Sequence, residues 1–294
     1  MPKKFNMSKQ FVLGTAQFSS NYGVSNRHGK ISFKEGKKII NYAYDSGARF
    51  LDTAIEYNNC DKILGKFGVK NWNIITKITF PESKTNKFNL EKRIKESLKN
   101  LKVKKFYGIL VHNHKSLKHK FNKKNFKTLL SLKRKNFVKK IGISTYGVEN
   151  LNFIIKNFKI DIIQTSFNLF DTRILEYLKK EKIKKNIEIH ARSIFLQGLL
   201  LINKKDLPIY FRKWDKYFEK LNNWLDQNNL DALKTCLDFG LKNTRINKLV
   251  FGVDGIRQLR QIIKIIKYDK INFKFPIFKS VNKDLIDPRT WALR

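Results

Sequence analysis

Four titratable side chains each follow a short apolar stretch of the chain. Asp52 and Tyr57 occur in the segment FLDTAIEY, Lys77 in IITKI and His112 in ILVHN. A tyrosine has a pKa of about 10 and is a poor acid at neutral pH, but a nearby lysine ammonium stabilises the phenolate and lowers that pKa. An aspartate can hold the lysine in place, and a histidine can donate an N–H to a carbonyl oxygen. These residue types suit proton donation to a C=O group, with a cofactor supplying the hydride.

Such a set requires a scaffold that brings the ends of several strands together. Short apolar segments alternate with helical patterns along the chain, and most are too continuously apolar for a half-exposed strand, which is typical of a parallel sheet. We predict eight strands, at residues 11–17, 49–54, 72–78, 106–113, 139–145, 160–167, 187–194 and 248–253.

Helical periodicity fills most of the gaps between these strands. In the first helix, Ser32 and Glu35 have the spacing of a capping box, and Gly47 is placed to end the helix. The predicted helices cover residues 32–47, 57–67, 89–101, 124–135, 148–157, 171–182, 231–242 and 256–267.

Eight strand–helix units in 294 residues predict a single-domain α/β protein, a (β/α)₈ TIM barrel over residues 1–294. Between strand 7 and helix 7, residues 198–230 form a predicted aromatic-rich insertion. A doubly wound sheet is the competing fold, but no G-x-G-x-x-G follows any predicted strand. In a barrel the active site lies at the C-terminal ends of the strands, which is where the four titratable residues fall.

The composition is strongly basic, with 62 Lys and Arg against 24 Asp and Glu and a formal net charge of +38. Such a charge can indicate a nucleic-acid partner. However, the lysines are spread along the whole chain, A/T-rich codon usage explains them equally well, and no nucleic-acid-binding motif accompanies them. We therefore expect a small-molecule substrate rather than nucleic acid, and a monomer or weak homo-oligomer.

Membrane and secretion signals are missing from the sequence. No apolar run of 18 residues occurs, and no apolar segment follows the basic N-terminus, so we expect a cytoplasmic protein without membrane insertion. Cys60 and Cys236 stand far apart, which predicts neither a disulfide framework nor a metal site.

At Asp52, Tyr57, Lys77 and His112 the sequence resembles the aldo/keto reductase family, whose Asp-Tyr-Lys-His tetrad these residues match in order. The segment LGTAQF resembles the family's opening strand. DTAIEYNNCDKILGKF resembles its DTA-x-x-Y…E-x-x-LG signature, with Asp61 in place of the usual glutamate. The resemblance implies a (β/α)₈ barrel that reduces an aldehyde or ketone with NADPH, or alternatively NADH, with Tyr57 as proton donor.

The resemblance also implies positions for the cofactor. Ser144 and Gln164 correspond to residues that bind the nicotinamide carboxamide, although Thr145 replaces the asparagine that usually follows the serine. Arg192 replaces an aromatic residue that often stacks on the nicotinamide, and a guanidinium can stack as well. The full implied set is Ser144, Gln164, Arg192, Ser193, Phe195, Gly198, Gly252, Asp254, Arg257 and Gln258.

The phosphate end of the cofactor is expected at the last helix, because a helix N-terminus is an anion site. Asp254 either caps this helix or repels a 2′-phosphate and favours NADH, whereas Arg257 offsets that charge. The family resemblance favours NADPH.

The substrate is the least defined part of the prediction. The N-terminal segment, RSIFLQGLLL and the DPRTW tail resemble a bacterial subgroup that often occurs with sugar-modifying and surface-polysaccharide enzymes. This resemblance points to carbohydrate metabolism and a sugar or nucleotide-sugar carbonyl. Tyr22 and His28 follow the first strand, which places them near the mouth of the barrel. Two alternatives stay open: a catalytically inactive barrel that senses cofactor or binds a partner, and a basic nucleic-acid-binding protein.

Overall fold

The computed structural model describes residues 6–85, 87–181, 183, 186–268, 274–279 and 281–291. Eight parallel strands pair in chain order, and β1 also pairs with β8, so the sheet is a closed barrel. The predicted (β/α)₈ fold is therefore confirmed. The strands are β1 (Phe11–Gly14), β2 (Phe50–Asp52), β3 (Asn73–Ile78), β4 (Phe106–Val111), β5 (Val138–Thr145), β6 (Ile162–Ser166), β7 (Glu188–Arg192) and β8 (Lys248–Phe251).

Helices surround the barrel at each of the eight predicted places. Within the described residues the α-helices are α1 (Met7–Gln10), α2 (Phe33–Asp45), α3 (Cys60–Phe67), α4 (Leu90–Leu101), α5 (Asn122–Arg134), α6 (Leu151–Asn157), α7 (Arg173–Lys180), α8 (Asp215–Gln227), α9 (Ala232–Leu241), α10 (Ile256–Tyr268) and α11 (Lys283–Ile286). Short 3₁₀ helices lie at Ala16–Phe18, His114–Lys118, Leu196–Leu201, Lys204–Asp206, Ile209–Trp214 and Pro288–Thr290.

The predicted capping box of α2 forms only in part. Ser32 Oγ accepts a hydrogen bond from the Glu35 N–H at 3.2 Å. The Glu35 carboxylate does not return to Ser32, because it accepts the Ile256 N–H at the start of α10 at 2.9 Å. This hydrogen bond links α2 to α10. Gly47 ends the helix with φ +102°, as predicted.

Apolar side chains fill the structure in two layers. Inside the barrel, one group is formed by Val12, Phe50, Ile75, Leu110, Ile162 and Val250. The larger group lies between the strands and the helices, where Leu90, Ile94 and Leu98 of α4 are all buried. The opposite face of α4 carries exposed lysines, so part of the basic charge lies on a solvated helix face.

Several element ends differ from the predicted ones because of local backbone conformation. The predicted strand 187–194 ends at Arg192, since Ser193 has φ +58°. The predicted helix 57–67 begins only at Cys60, after Asn59 with φ +53°. Helix α7 ends at Lys180, and residue 182 of its predicted range lies outside the described residues.

The segment that follows β7 combines short 3₁₀ helices with α8 before α9 begins. A kink occurs in its first part, where Gln197 has φ 55° and Gly198 has φ 90°. In the part of the chain that the structure describes, no helix is long and apolar enough to cross a membrane.

Candidate active site

A cavity of about 310 Å³ opens at the C-terminal ends of the strands. All four of the predicted catalytic side chains, Asp52, Tyr57, Lys77 and His112, line it. They come from the ends of β2, β3 and β4 and from the loop after β2, so the barrel brings together residues that are separated in the sequence. This position is the one that barrel enzymes use for chemistry.

Lys77 and Asp52 form a buried ion pair at the bottom of the cavity. Their residues are 2% and 5% exposed, and Lys77 Nζ donates to Asp52 Oδ1. The ammonium also donates to the Thr53 carbonyl oxygen at 2.9 Å. Each of the two charges is therefore paired with an opposite charge.

Gln164 supports this pair from the other side of the barrel. Its Nε2 donates to Asp52 Oδ2 at 2.7 Å, and the side chain is fully buried. Its Oε1 has no hydrogen-bond partner among the described residues, and Gln164 does not form part of the cavity wall. In this structure the residue expected at the nicotinamide carboxamide therefore orients Asp52.

Tyr57 lies above the ion pair, with Lys77 Nζ 5.5 Å from the centre of its ring. Burial raises the pKa of Tyr57, the charge of Asp52 raises it further, and Arg192 opposes them. The sequence suggested that Lys77 would lower this pKa. The structure differs because Asp52 compensates the lysine charge and also acts on Tyr57. The phenol therefore stays protonated at neutral pH and keeps a proton to donate.

His112 lies beside Tyr57, with ring centres 6.5 Å apart and the ring planes at 74°. Its backbone N–H donates to the Ile78 carbonyl at 2.9 Å, which fixes the end of β4 against β3. The side chain is 33% exposed, and its Nδ1 is 3.7 Å from Glu56 Oε2. Glu56 is a neighbour of the site that was not predicted from the sequence, although a carboxylate next to a candidate catalytic tyrosine is a usable signal.

Most of the cofactor positions implied by the resemblance lie in the cavity wall. Two do not, namely Gln164 below the wall and Arg257, which is exposed. Those in the wall are Ser144, Arg192, Ser193, Phe195, Gly198, Gly252, Asp254 and Gln258.

Arg192 stacks on an aromatic residue of the protein itself. Its Cζ is 3.7 Å from the ring centre of Tyr146, and its Nη2 donates to the Thr145 carbonyl at 2.8 Å. Arg289 from the C-terminal segment contacts the same ring at 4.6 Å. Tyr146 and Arg192 both line the cavity, so a cationic, aromatic wall faces the tetrad. Tyr146 is a site residue that the sequence analysis missed, although it directly follows a strand end.

Asp254 lies at the far end of the cavity, where α10 begins. The first N–H group of that helix, from Ile256, is bound by Glu35. The Asp254 N–H donates to Gln258 Oε1 at 2.8 Å. Burial raises the pKa of the Asp254 carboxyl, and a hydrogen bond with Gln17 opposes that shift. The carboxyl is thus part of the wall, and Gln17 is a second wall residue that the sequence analysis missed.

Known proteins resemble this chain in sequence pattern and in fold. The model of the aldo/keto reductase family matches residues 10–276. Aldo-keto reductase AKR11C1 from Bacillus halodurans, in its holo form, has a TM-score of 0.71 and 14% identity, with 95% of this chain and 99% of that chain covered. The protein PA4992 from Pseudomonas aeruginosa has a TM-score of 0.62 and 17% identity, with 87% and 88% covered. These identities are low, so both likenesses concern the fold. No curated protein sequence matches the chain.

Proposed function

Because this chain belongs to the aldo/keto reductase family, an oxidoreductase family that uses nicotinamide cofactors, we propose that it reduces an aldehyde or ketone to an alcohol with NADPH. The observation that carries the proposal is the buried Lys77–Asp52 pair beneath Tyr57, in one cavity with His112. A sugar or nucleotide-sugar carbonyl is the proposed substrate class, on the strength of the sequence resemblance.

The wall of the cavity fits the chemistry of a dinucleotide. Ser144 offers a hydroxyl near the tetrad, Arg192 offers a cation with a planar face, and the first turn of α10 borders the far end. Hydroxyl and guanidinium donors bind amide and phosphate oxygens, and a helix N-terminus attracts anions. Bound there, the cofactor would supply a hydride to the carbonyl carbon.

The residues of the chain perform the remaining steps. Tyr57 donates its hydroxyl proton to the carbonyl oxygen as the carbon gains the hydride, so the C=O becomes CH–OH and Tyr57 becomes a phenolate. The charge of Arg192, which opposes the rise in the pKa of Tyr57, stabilises that phenolate. Lys77 lies beneath the ring, with its Nζ 5.5 Å from the ring centre. His112 donates a hydrogen bond to the same carbonyl oxygen and polarises it. Asp52 and Gln164 keep Lys77 in position.

The proposed preference for NADPH depends on Asp254 and Arg257. A carboxylate in the wall disfavours a 2′-phosphate, whereas Arg257 is exposed on the first turn of the same helix and can offset it. Fluorescence titration with NADPH and with NADH measures the preference directly. Asp254→Asn should tighten NADPH more than NADH if the carboxylate faces the phosphate.

Absorbance at 340 nm during incubation with NADPH and sugar aldehydes tests the function. The wild-type protein should consume NADPH with at least one carbonyl compound, and Tyr57→Phe should bind NADPH normally but lose at least ~100-fold in turnover, the scale of general acid catalysis. Near-normal turnover by Tyr57→Phe would remove Tyr57 from the mechanism. Cofactor binding by the wild type without any turnover would favour a sensor or partner-binding role.

A further inference from the structure

The eight strands begin at the end of the barrel opposite the cavity. All neighbouring strands are parallel, so the connections that lead from helices into strands share this end, whereas the cavity lies at the other one. Helix α1 is held against it, because Lys248 Nζ of β8 donates to the Lys9 carbonyl oxygen at 2.6 Å. This end therefore presents a surface to a partner, while the opposite end opens into the cavity.

Exposed cations lie at the start of six of the eight strands. One belongs to each of β1, β3, β4, β5, β6 and β8, within three residues of the first residue of the strand. None of the six forms an ion pair with a carboxylate among the described residues. The start of β2 has a half-buried Arg49, and residues 182, 184 and 185 before β7 lie outside the described residues. The six cations define the basal face: Lys9, Lys70, Lys104, Lys139, Lys159 and Arg245.

Most of the connections into strands carry no carboxylate. Those that lead into β1, β3, β4, β5 and β8 contain neither Asp nor Glu. Asp161, before β6, and Glu188, at the start of β7, each bind a lysine ammonium, at 2.6 and 2.8 Å. The exposed carboxylates at this end are Asp45, which ends α2, and Glu181, which follows α7. A lysine-rich codon usage accounts for many lysines, but it does not keep carboxylates out of these connections.

The six basal cations lie around a ring and act together. Adjacent strands of a sheet are about 4.8 Å apart, so cations at neighbouring or next-nearest strands are separated by about 5–10 Å along the barrel wall. This spacing does not exceed the Debye length, which is about 10 Å at 0.1 M salt. The positive potentials of the six cations therefore overlap, and the basal face attracts an extended negative surface more strongly than single charges would.

We propose that the basal face docks the protein on an anionic lipid bilayer, with the cavity facing away from the bilayer. The headgroups of anionic lipids form a plane of negative charge, and each Lys or Arg close to that plane strengthens binding about fivefold. The contact involves headgroups only, and no residue enters the hydrocarbon layer. Cofactor and substrate keep their access to the cavity, because it opens at the other end of the barrel. The inference does not depend on the proposed function.

The arrangement of the cations favours a bilayer over a nucleic acid. Proteins bind nucleic acids through cations that lie along a groove or stripe and follow the phosphate backbone, often with aromatic side chains on which bases stack. The basal cations instead come from six strands around a closed ring, so they spread in two dimensions. The sequence also carries no nucleic-acid-binding motif.

Co-sedimentation of the full chain with lipid vesicles tests the proposal. At about 0.1 M salt the protein should bind vesicles of phosphatidylcholine with about 30% phosphatidylserine, but not vesicles of phosphatidylcholine alone. A triple variant with Lys104→Gln, Lys139→Gln and Lys159→Gln should bind about 100-fold more weakly, because three contributions of about fivefold are removed. Salt at about 0.5 M should release the wild-type protein, since it shortens the Debye length. Failure of the wild type to bind the phosphatidylserine vesicles would overturn the proposal.

A second triple variant is the matched control. Lys34, Lys118 and Lys123 are exposed and follow strands, so they lie at the cavity end of the barrel. Replacing all three with Gln removes the same total charge, and this variant should bind the phosphatidylserine vesicles within about threefold of the wild type. Equal losses in the two triple variants would mean that the net charge causes binding, and the basal face would then have no special role.

The docking face and the kind of partner can be tested separately. A fluorophore attached through Lys70→Cys should be quenched by spin-labelled headgroups, whereas one attached through Lys34→Cys should not. The native cysteines, Cys60 and Cys236, are buried and do not compete for the label. The reverse pattern of quenching would show docking through the cavity end. Tighter binding to a DNA duplex of about 20 base pairs than to the vesicles, at equal concentrations of negative charge, would identify nucleic acid as the partner. Either result would overturn the proposal.

Discussion

Gln164 Nε2 donates a hydrogen bond of 2.7 Å to Asp52 Oδ2, from a strand on the opposite side of the barrel. Lys77 donates to the other carboxylate oxygen. Asp52 is therefore held by two buried donors, one charged and one neutral. The orientation of the lysine beneath Tyr57 depends on both contacts.

Replacing Gln164 with leucine should destabilise the protein. The variant removes a hydrogen bond to a buried charged group, which is worth about 1.5–3 kcal/mol. Urea unfolding at pH 7.5 measures the change in the free energy of unfolding. Gln227→Leu, at an exposed position at the end of α8, should change it by less than about 0.5 kcal/mol. Equal effects of the two substitutions would mean that Asp52 does not need the Gln164 donor.

Asp61 predicts a pH dependence of stability. It is buried between α3 and α4, its Oδ2 accepts from Ser97 Oγ at 2.5 Å, and its Oδ1 has no partner among the described residues. Burial raises the pKa of Asp61 from 3.8 to about 6, although the Ser97 hydrogen bond opposes the shift. Between pH 3.8 and about 6 the carboxyl of Asp61 therefore keeps its proton in the folded state but has lost it in the unfolded state. Stability contributed by Asp61 should fall as pH rises from 3.8 to about 6, and stay low above it.

Asp61→Asn should remove this dependence. A shift of about two pKa units corresponds to ~3 kcal/mol. We therefore expect the free energy of unfolding of the variant, relative to that of the wild type, to be higher above pH 6 than at pH 4 by up to that amount. Urea unfolding at pH 4, 5, 6 and 7.5 gives the differences. Asp226→Asn, on the exposed surface of α8, serves as control. A constant difference between Asp61→Asn and wild type at all four pH values would contradict the raised pKa.

Both the space around Gly198 and its backbone conformation require a glycine at this position. A Cβ at this position would lie 1.7 Å from Ser25 Oγ, and its φ is +90°. Ser25 binds the Gln197 carbonyl through both its N–H and its hydroxyl, so the two segments are in close contact along the cavity wall. Gly198→Ala should therefore lower the thermal midpoint and weaken NADPH binding.

A double variant separates the two causes. Ser25→Gly with Gly198→Ala relieves the steric clash but leaves the positive φ, which costs an alanine about 1 kcal/mol or more. We expect the double variant to recover part of the midpoint lost by Gly198→Ala. No recovery would indicate that backbone strain, and not the contact with Ser25, sets the requirement for glycine.

The sequence predicted the scaffold better than the details of the site. Continuous apolar runs followed by polar residues located every strand, because burial on both faces leaves a clear pattern. The loss of regular structure at Ser193 could not be predicted, since a positive φ at a non-glycine residue has no local signature. The contact of Glu56 with His112 joins two segments that are distant in the chain, and only the closed barrel brings them together.

The ion-pair and hydrogen-bond partners of the predicted residues could not be predicted from the sequence either. The sequence suggested that Lys77 acts on Tyr57 directly, whereas the structure pairs its charge with Asp52. Gln164 was expected at the cofactor, but its side chain points to Asp52. Strand order predicts which residues share an end of the barrel. The choice among several partners within reach is made by side-chain packing.

Lys248 predicts a second pH dependence, at the opposite end of the barrel. It is buried, and its Nζ donates to the Lys9 carbonyl at 2.6 Å and lies 4.0 Å from the centre of the Phe50 ring. Burial lowers the pKa of Lys248 from 10.5 to about 8, with Glu188 opposing the shift and Lys140 adding to it. Between about pH 8 and pH 10.5 the amine of Lys248 therefore carries a proton in the unfolded state but has lost it in the folded state. The contribution of Lys248 to the free energy of unfolding should rise with pH over this range.

Lys248→Met should stabilise the protein most at neutral pH, where the buried ammonium costs up to about 3 kcal/mol. The gain should shrink as pH approaches 10, because the wild-type amine is then neutral, and the lost hydrogen bond to Lys9 should offset about 1 kcal/mol at every pH. Urea unfolding at pH 7, 8.5 and 10 measures the difference from wild type. Lys264→Met, on the exposed face of α10, corrects for removing one positive charge from a basic chain. If Lys248→Met and Lys264→Met differ from wild type by the same amount at all three pH values, the ammonium of Lys248 carries no burial cost.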